Sequence, residues 1–345
     1  MLVIDDTSLP DAFDNVEIVR RFGRRPISHA FHDVDGTHSL IRDWAPPMSL
    51  LLRTVIEEGL PEGYDDEENA RRLTGRLQTD STTSAGVERM EETDRFCVES
   101  AGLSALTQME WAVRRAIEEG TIPAERVGLT PQAERTNAEI VRRIWAGEER
   151  FDAAADPPAL VRLLAEHAPR LFQLYERVLD GACRDANLTA ARRDPAAWRV
   201  PGALEFMRML RNFGAVNYFI TGAVIPVNER GQPEGGMYEE VLAVGFDVGP
   251  GRMVQALHGC RWDRKTPKYE VMRRLCREEN IEPAKVLVVG DGRGEIAAGA
   301  AMGAVTVSRL PADAARQREL HRSLGTNVIL ADYTSERLPQ LFDTQ

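Results

Sequence analysis

Asp33 and Asp35 stand one residue apart at the end of a run that can be extended, Ser28 to Thr37, read SHAFHDVDGT. Alternate residues of a strand face opposite sides, so the two carboxylates would share a side with Val34 turned away. Such a pair at a strand's end can hold a hard divalent cation, or divide the work of nucleophile and acid. Gly36 lets the backbone turn close to a ligand, where a Cβ would obstruct it. Taken alone, the same letters are more often an Asp-Gly turn closing a hairpin.

Three later clusters fall at strand ends or helix starts. FITG puts Thr221 and Gly222 just past a strand, offering a hydroxyl and a close backbone N–H to an anion. DRKTPK supplies Lys265 and Lys268 at the start of a helix, where amide groups and a cation bind phosphate. VVGDGRGE ends a strand in Asp291, followed by Gly292, Gly294 and Glu295, a second acid pair able to complete a cation site begun by Asp33. Each is commonplace by itself, since Ser/Thr-Gly and Asp-Gly are routine turn residues and lysines are usually solvated.

The elements that must position these residues fall into two textures. From Met48 to about Pro195 apolar residues recur at three and four, as in Leu51, Leu52, Val55, Ile56 and in Leu160, Leu163, Leu164, which predicts helices. Pro46 and Pro47, just before, are expected to break any helix that starts there. The Thr/Ser-rich stretch 77–86 is expected as a loop that caps the next helix. After Pro201 strand and helix alternate: PGALEFMRMLRNFG, AVNYFITG, MYEEVLAVGF, MVQAL, TPKYEVMRRLCREENI, VLVVGDG, EIAAGAAMG, AVTVSRL and TNVILAD. That alternation predicts a parallel sheet covered on both faces, with VLVVG and AVTV as central strands. The opening strand has no adjacent partner. One α/β domain built from both ends of the chain, 27–45 and 199–345, is therefore expected, with a helical cap domain, 46–198, inserted after its first strand. Such an insert would sit over the strands' carboxyl ends, where α/β sheets bind ligands. Residues 1–26 are expected as an acidic leader with a short helix over Val16 to Phe22.

Composition narrows the class. The 345 residues are 43% hydrophobic and 28% charged, ordinary for a soluble globular protein of about two domains. A net charge of −11 argues against a general nucleic-acid binder, and the basic run Arg20 to Arg25 follows acidic residues. The four cysteines form no Cys-x-x-Cys pair and are expected reduced. The N-terminus has aspartates where a signal peptide needs positive charge, and no window reaches the ~20 apolar residues of a membrane span. A soluble, cytoplasmic protein with no membrane partner is expected.

In their order, DVDGT, FITG, a Lys-rich helix start and GDGRGE resemble the four motifs of the haloacid dehalogenase-like hydrolase superfamily, and within it the capped phosphatases of the phosphoglycolate phosphatase-like group. The resemblance covers the opening strand and residues 201 to about 332; the insert matches only in position and helicity. It implies a Rossmann-like doubly wound core and an aspartyl-phosphate mechanism. Asp33 would be the nucleophile, and Asp35 would protonate the leaving oxygen and then activate water. Thr221, Gly222 and Lys265 would hold the phosphoryl oxygens, and Asp33, Asp291 and the main-chain carbonyl of Asp35 would hold Mg²⁺, with Glu295 outside them. Independently, a carboxylate attacking an anionic phosphate needs a cation and a lysine to offset repulsion. Lys265 fits the third motif through the Thr266-Pro267 that follows it, and Lys268 stays open as the alternative.

The sequence departs from the family pattern at His29 and His32, which interrupt a strand usually apolar, and at His38 after DGT. Satisfied polar contacts explain these better than a metal site, because no acidic or Cys partner stands at ligand spacing. The implied function is a Mg²⁺-dependent phosphatase acting on a small phosphorylated metabolite. Asp35 disfavours dehalogenase and phosphonate-cleaving chemistry, whose enzymes lack it. A phosphomutase, which keeps both aspartates, and a non-catalytic partner-binding protein on the same scaffold are the alternatives. Arg42, Trp44, Arg76 and residues 79–84 are candidates for choosing the substrate.

Overall fold

The computed structural model describes residues 2–64, 66–80, 87–261 and 266–344, of which 78–80, 87–91 and 343–344 are described by backbone alone. The chain divides into two compact units, Met1–Arg42 with Ala186–Gln345, and Asp43–Asp185.

The N-terminal residues are strands. They run β1 (Leu2–Ile4), β2 (Ala12–Phe13), β3 (Val16–Ile18), β4 (Arg25–Ile27) and β5 (His29–His32). The helix expected over Val16 to Phe22 is replaced by β3, whose burial alternates as Val16 in, Glu17 half out, Ile18 in. That is a period of two, and three residues are too few to tell it from a helical turn in sequence. Residues 1–26 are thus part of the α/β unit: β1 pairs antiparallel with β4 and with the C-terminal β11 (Phe342–Thr344).

The second unit follows with α1 (Ala45–Glu58), α2 (Glu67–Asp80), α3 (Val87–Glu99), α4 (Ala105–Glu118), α5 (Pro131–Trp145) and α6 (Pro158–Leu179). Among the described residues it contains no strand. Pro46 and Pro47 do not break α1; they occupy its first turn, where the missing N–H costs nothing. Phe96 stacks on Trp111 at 3.7 Å between centroids, and Arg114, fully buried, is held by Asn137 and Asp156. α2 extends to Asp80, and residues 81–86 of the expected loop lie outside the described residues. No described helix is long and apolar enough to cross a membrane.

α7 (Asp185–Arg193) leads back into the α/β unit, which continues with α8 (Ala203–Asn212), β6 (Val216–Val224), α9 (Gly236–Ala243) and β7 (Leu257–Cys260). Then come α10 (Lys268–Glu278), β8 (Val286–Gly290), α11 (Arg293–Met302), β9 (Val305–Arg309), α12 (Ala315–Ser323) and β10 (Val328–Leu330). The expected strand MVQAL begins only at Leu257, so β7 starts four residues later than Met253. Among the described residues the main sheet has the order β2-β3-β10-β9-β8-β5-β6-β7, parallel from β10 to β7. β8, VLVVG, is buried at every position, as a strand covered on both faces must be. One face packs Ala30, Val289 and Phe219 under α8 and α9, and the other packs Phe31, Val288 and Ile220 under α10. The fold is α/β and doubly wound. From β5 the chain builds outward through β6 and β7, then crosses back to β8 on the other side of β5. Ligands bind at the carboxyl ends of strands where the order reverses in this way.

Candidate active site

Asp33 follows the last residue of β5, and its amide donates to the Val289 carbonyl of β8 at 2.9 Å, so the parallel ladder holds it in register. Its side chain is buried. Val34 then turns fully into the core, and the chain closes a tight loop: His38 and Ser39 amides both reach the Val34 carbonyl, and Gly36 N–H reaches Ser39 O, each at 2.9 Å. Asp35 sits half-buried in that loop and bridges to Ser39. Gly36 has φ of +68°, and a Cβ there would overlap Asp291 Oδ2. Glycine is needed on both counts.

Asp291 stands just past β8, next to β5, and accepts from Thr37 Oγ1 at 2.9 Å. Glu295, in the first turn of α11, accepts from the Gly292 amide at 2.6 Å, and Gly290 leaves room for it, since a Cβ there would collide with its side chain. Asp33, Asp291 and Glu295 bring carboxylate oxygens within 4.8 Å of one another. The side chain of Asp35 is not among the three. Lys268, first residue of α10 and buried, puts Nζ 2.8 Å from Asp33 Oδ1 and 3.0 Å from Glu295 Oε2. Lys265 lies outside the described residues. Lys268, the sequence alternative, is therefore the lysine the described geometry brings to the acids.

Three carboxylates against one ammonium leave excess negative charge in a confined volume. Burial, then Asp33, pushes the Asp291 carboxyl up to about 7, against the pull of Lys268, Thr37 and Arg309. Burial pushes Glu295 up to about 8, with Lys268 opposing. Burial alone would lower the Lys268 ammonium, but Asp33 and Glu295 outweigh it and hold it above its usual value. Raised carboxyls in an oxygen-only cluster mark a place where a hard divalent cation would relieve repulsion. The donor set fits such an ion.

Thr221 is buried within β6 rather than beyond it; β6 runs on to Val224, with its pairing to β7 irregular between Ile220 and Val224. Thr221 Oγ1 accepts from the Ala223 amide at 3.1 Å, and Gly222 lies half-buried between them. Arg42 is committed to Glu240 in a buried pair, with Nη2 2.9 Å from Oε1. Arg76 pairs with Glu58 in the helical unit, and Trp44 precedes α1.

The histidines form a structural chain. Asn217 of β6 donates to the Met207 and Met253 carbonyls, so its Oδ1 is left to accept from His32 Nε2 at 3.2 Å. His32 Nδ1 then accepts from His38 Nε2 at 3.0 Å. Burial lowers His32 to about 4 and His38 well below its usual range, so both are neutral near pH 7. His38 stacks on Tyr333 with centroids 5.3 Å apart. His29 meets Ser28 and Tyr218. Sequence reading missed two residues here: Arg309, which ends β9 and donates to the Gly36 carbonyl at 2.8 Å, and Tyr333, whose hydroxyl donates to the Thr37 carbonyl at 3.1 Å. A charged residue at the carboxyl end of a predicted strand was the available signal for Arg309; Tyr333 carries none.

No protein-family model matches the sequence, and no curated protein matches it. Solved structures do. A β-phosphoglucomutase from Clostridium difficile aligns over 91% of this chain and 95% of its own, with a TM-score of 0.45 and 9% identity. A predicted phosphoglycolate phosphatase from Haemophilus somnus aligns over 89% and 95%, with a TM-score of 0.41 and 13% identity. At this distance the activity has to be read from the chain's own residues. The third, at 14% identity and a TM-score of 0.37 over 92% of this chain and 96% of its own, is a HAD family hydrolase from Deinococcus radiodurans with bound phosphate and sodium.

Proposed function

We propose that this protein is a phosphoric monoester hydrolase of the haloacid dehalogenase-like superfamily, working through an aspartyl-phosphate on Asp33. The observation that carries this reading is the Asp33 carboxylate at the end of the central strand, 2.8 Å from a buried lysine and grouped with Asp291 and Glu295. A carboxylate that only stabilised the fold would not need two further buried acids beside it, because each raises the cost of its charge.

Asp33 attacks phosphorus as the bond to the leaving oxygen breaks, and that oxygen takes its proton from Asp35. A water then gives a proton to Asp35 and attacks phosphorus; the bond to Asp33 breaks and phosphate leaves. Lys268 offsets the charge on Asp33 and the phosphoryl oxygens, in the role the sequence offered first to Lys265. Thr221 and the Gly222 amide hold the same oxygens. Mg²⁺ suits the oxygen donors of Asp33, Asp291 and the Asp35 main-chain carbonyl, with Glu295 beside them, and when bound it would screen the repulsion between nucleophile and substrate. The substrate we assign is a small phosphorylated metabolite, on the sequence ground that a large helical insert follows directly after the two aspartates.

Incubation with a panel of phosphometabolites and Mg²⁺ should release inorganic phosphate from at least one, and Asp33→Asn should abolish the release. Unaltered turnover in that variant, or no hydrolysis across the panel, would sink the reading.

A further inference from the structure

The loop carrying Asp35 is gripped from outside by two side chains that belong to none of the four motifs. Its inner bonds use the Val34 and Ser39 carbonyls, which leaves the carbonyls of Gly36 and Thr37 for partners elsewhere. Arg309 Nη1 takes the first at 2.8 Å and the Tyr333 hydroxyl takes the second at 3.1 Å. Arg309 ends β9, which does not neighbour β5; β8 lies between them. Its side chain therefore crosses the end of β8, a span of about two strand spacings or ~10 Å. Asp291 lies on that crossing, tied to the loop by Thr37 Oγ1 and within the field of the Arg309 cation, which draws its carboxyl down. Tyr333 is itself fixed, stacked between His38 and Phe206 with centroid separations of 5.3 and 4.7 Å.

From this geometry we infer that Arg309 is a positioning residue for the phosphoryl-transfer reaction: by holding the Gly36 carbonyl from across β8, it fixes the loop that aims Asp35, with Tyr333 assisting at Thr37. The inference rests on the proposed phosphatase reading. Arg309 has no hydrogen bond or ion pair with Asp33, Lys268 or Thr221, so the groups that hold substrate phosphate stay in place when it is lost. A loosened loop misplaces the Asp35 carboxyl, whose proton transfer is worth roughly 10²–10⁴ in rate when the group is well placed, and with it the Asp35 main-chain carbonyl proposed for Mg²⁺. A guanidinium suits the task because its planar fork is preorganised and always charged, whereas lysine keeps the charge but not the fork.

The test compares wild type with Arg309→Met, Arg309→Lys and the milder Tyr333→Phe. Amide hydrogen exchange over residues 34–39 should quicken at least tenfold in Arg309→Met and less in Tyr333→Phe, with exchange in β8 unchanged. On the best substrate of the panel, kcat should fall about 10- to 100-fold in Arg309→Met while KM moves less than about threefold, with partial recovery in Arg309→Lys. Unchanged exchange at 34–39 overturns the inference, as does a loss confined to KM. A wild-type protein that hydrolyses nothing overturns the phosphatase reading instead, and the exchange data tell the two failures apart.

Discussion

Lys268 Nζ lies 2.8 Å from Asp33 Oδ1 with both side chains buried, and Glu295 occupies the ammonium's other side at 3.0 Å. Among the described residues neither acid has another ion-pair partner. Lys268→Met should cost about 3–5 kcal/mol of stability, the range for breaking a buried pair from one side. Activity should fall at least 100-fold. Urea unfolding and steady-state kinetics measure the two, and a fully active Lys268→Met protein would refute the assignment.

Divalent cation should stabilise the fold through the Asp33, Asp291 and Glu295 cluster. At a concentration near 100 times its dissociation constant, Mg²⁺ should add about 2.7 kcal/mol. Thermal unfolding with Mg²⁺ and with EDTA should therefore give clearly separated midpoints, and Asp291→Asn should bring them together. Coincident midpoints in the unaltered protein would count against a cation site.

Gly36→Ala places a Cβ on a left-handed backbone and against the Asp291 carboxylate. The conformation alone costs about 1–2 kcal/mol, and the overlap forces either the loop or Asp291 to move. Loss of activity beyond 100-fold with weakened Mg²⁺ binding is expected. Calorimetric titration with Mg²⁺ reports the second effect directly; wild-type affinity would show that the contact is not needed.

His321, buried and bonded to Ser308 Oγ at 2.8 Å, has its pKa lowered to about 4 by burial and then by Arg293. Unfolded, it titrates near 6.5. The unfolded chain binds the extra proton between those values, so the stabilisation is present above pH 6.5 and is lost as pH falls toward 4. The stability gap between wild type and His321→Gln should shrink by about 3 kcal/mol from pH 7 to pH 4. Denaturant unfolding at both pH values reads this, and a constant gap would contradict it.

The acids and the elements bearing them could be read locally. Asp33 ends a short run that can be extended and Asp291 follows the apolar run VLVVG; Gly36 stands three residues past the first and Gly292 directly after the second. Helices such as α8 and α10 carry their apolar stripe within a dozen residues. The N-terminal strands escaped the same reading because two or three residues are too few to tell a period of two from a helical turn. β1 takes its place from β4 and from β11, more than 300 residues away.

His32 and His38 looked out of place in sequence because their explanation is Asn217, a strand away in space and 185 residues from His32 along the chain. Strand order itself brought β8 beside β5, put Asp291 under Gly36 and let Arg309 reach across from β9. Local spacing determines which face a residue takes and where its element ends, since both follow from a repeat of two or 3.6 residues. Which lysine meets Asp33, and which donors hold its loop, depends on pairings between distant segments. Those are decided when the two apolar faces of the sheet are covered and every buried polar group must find a partner.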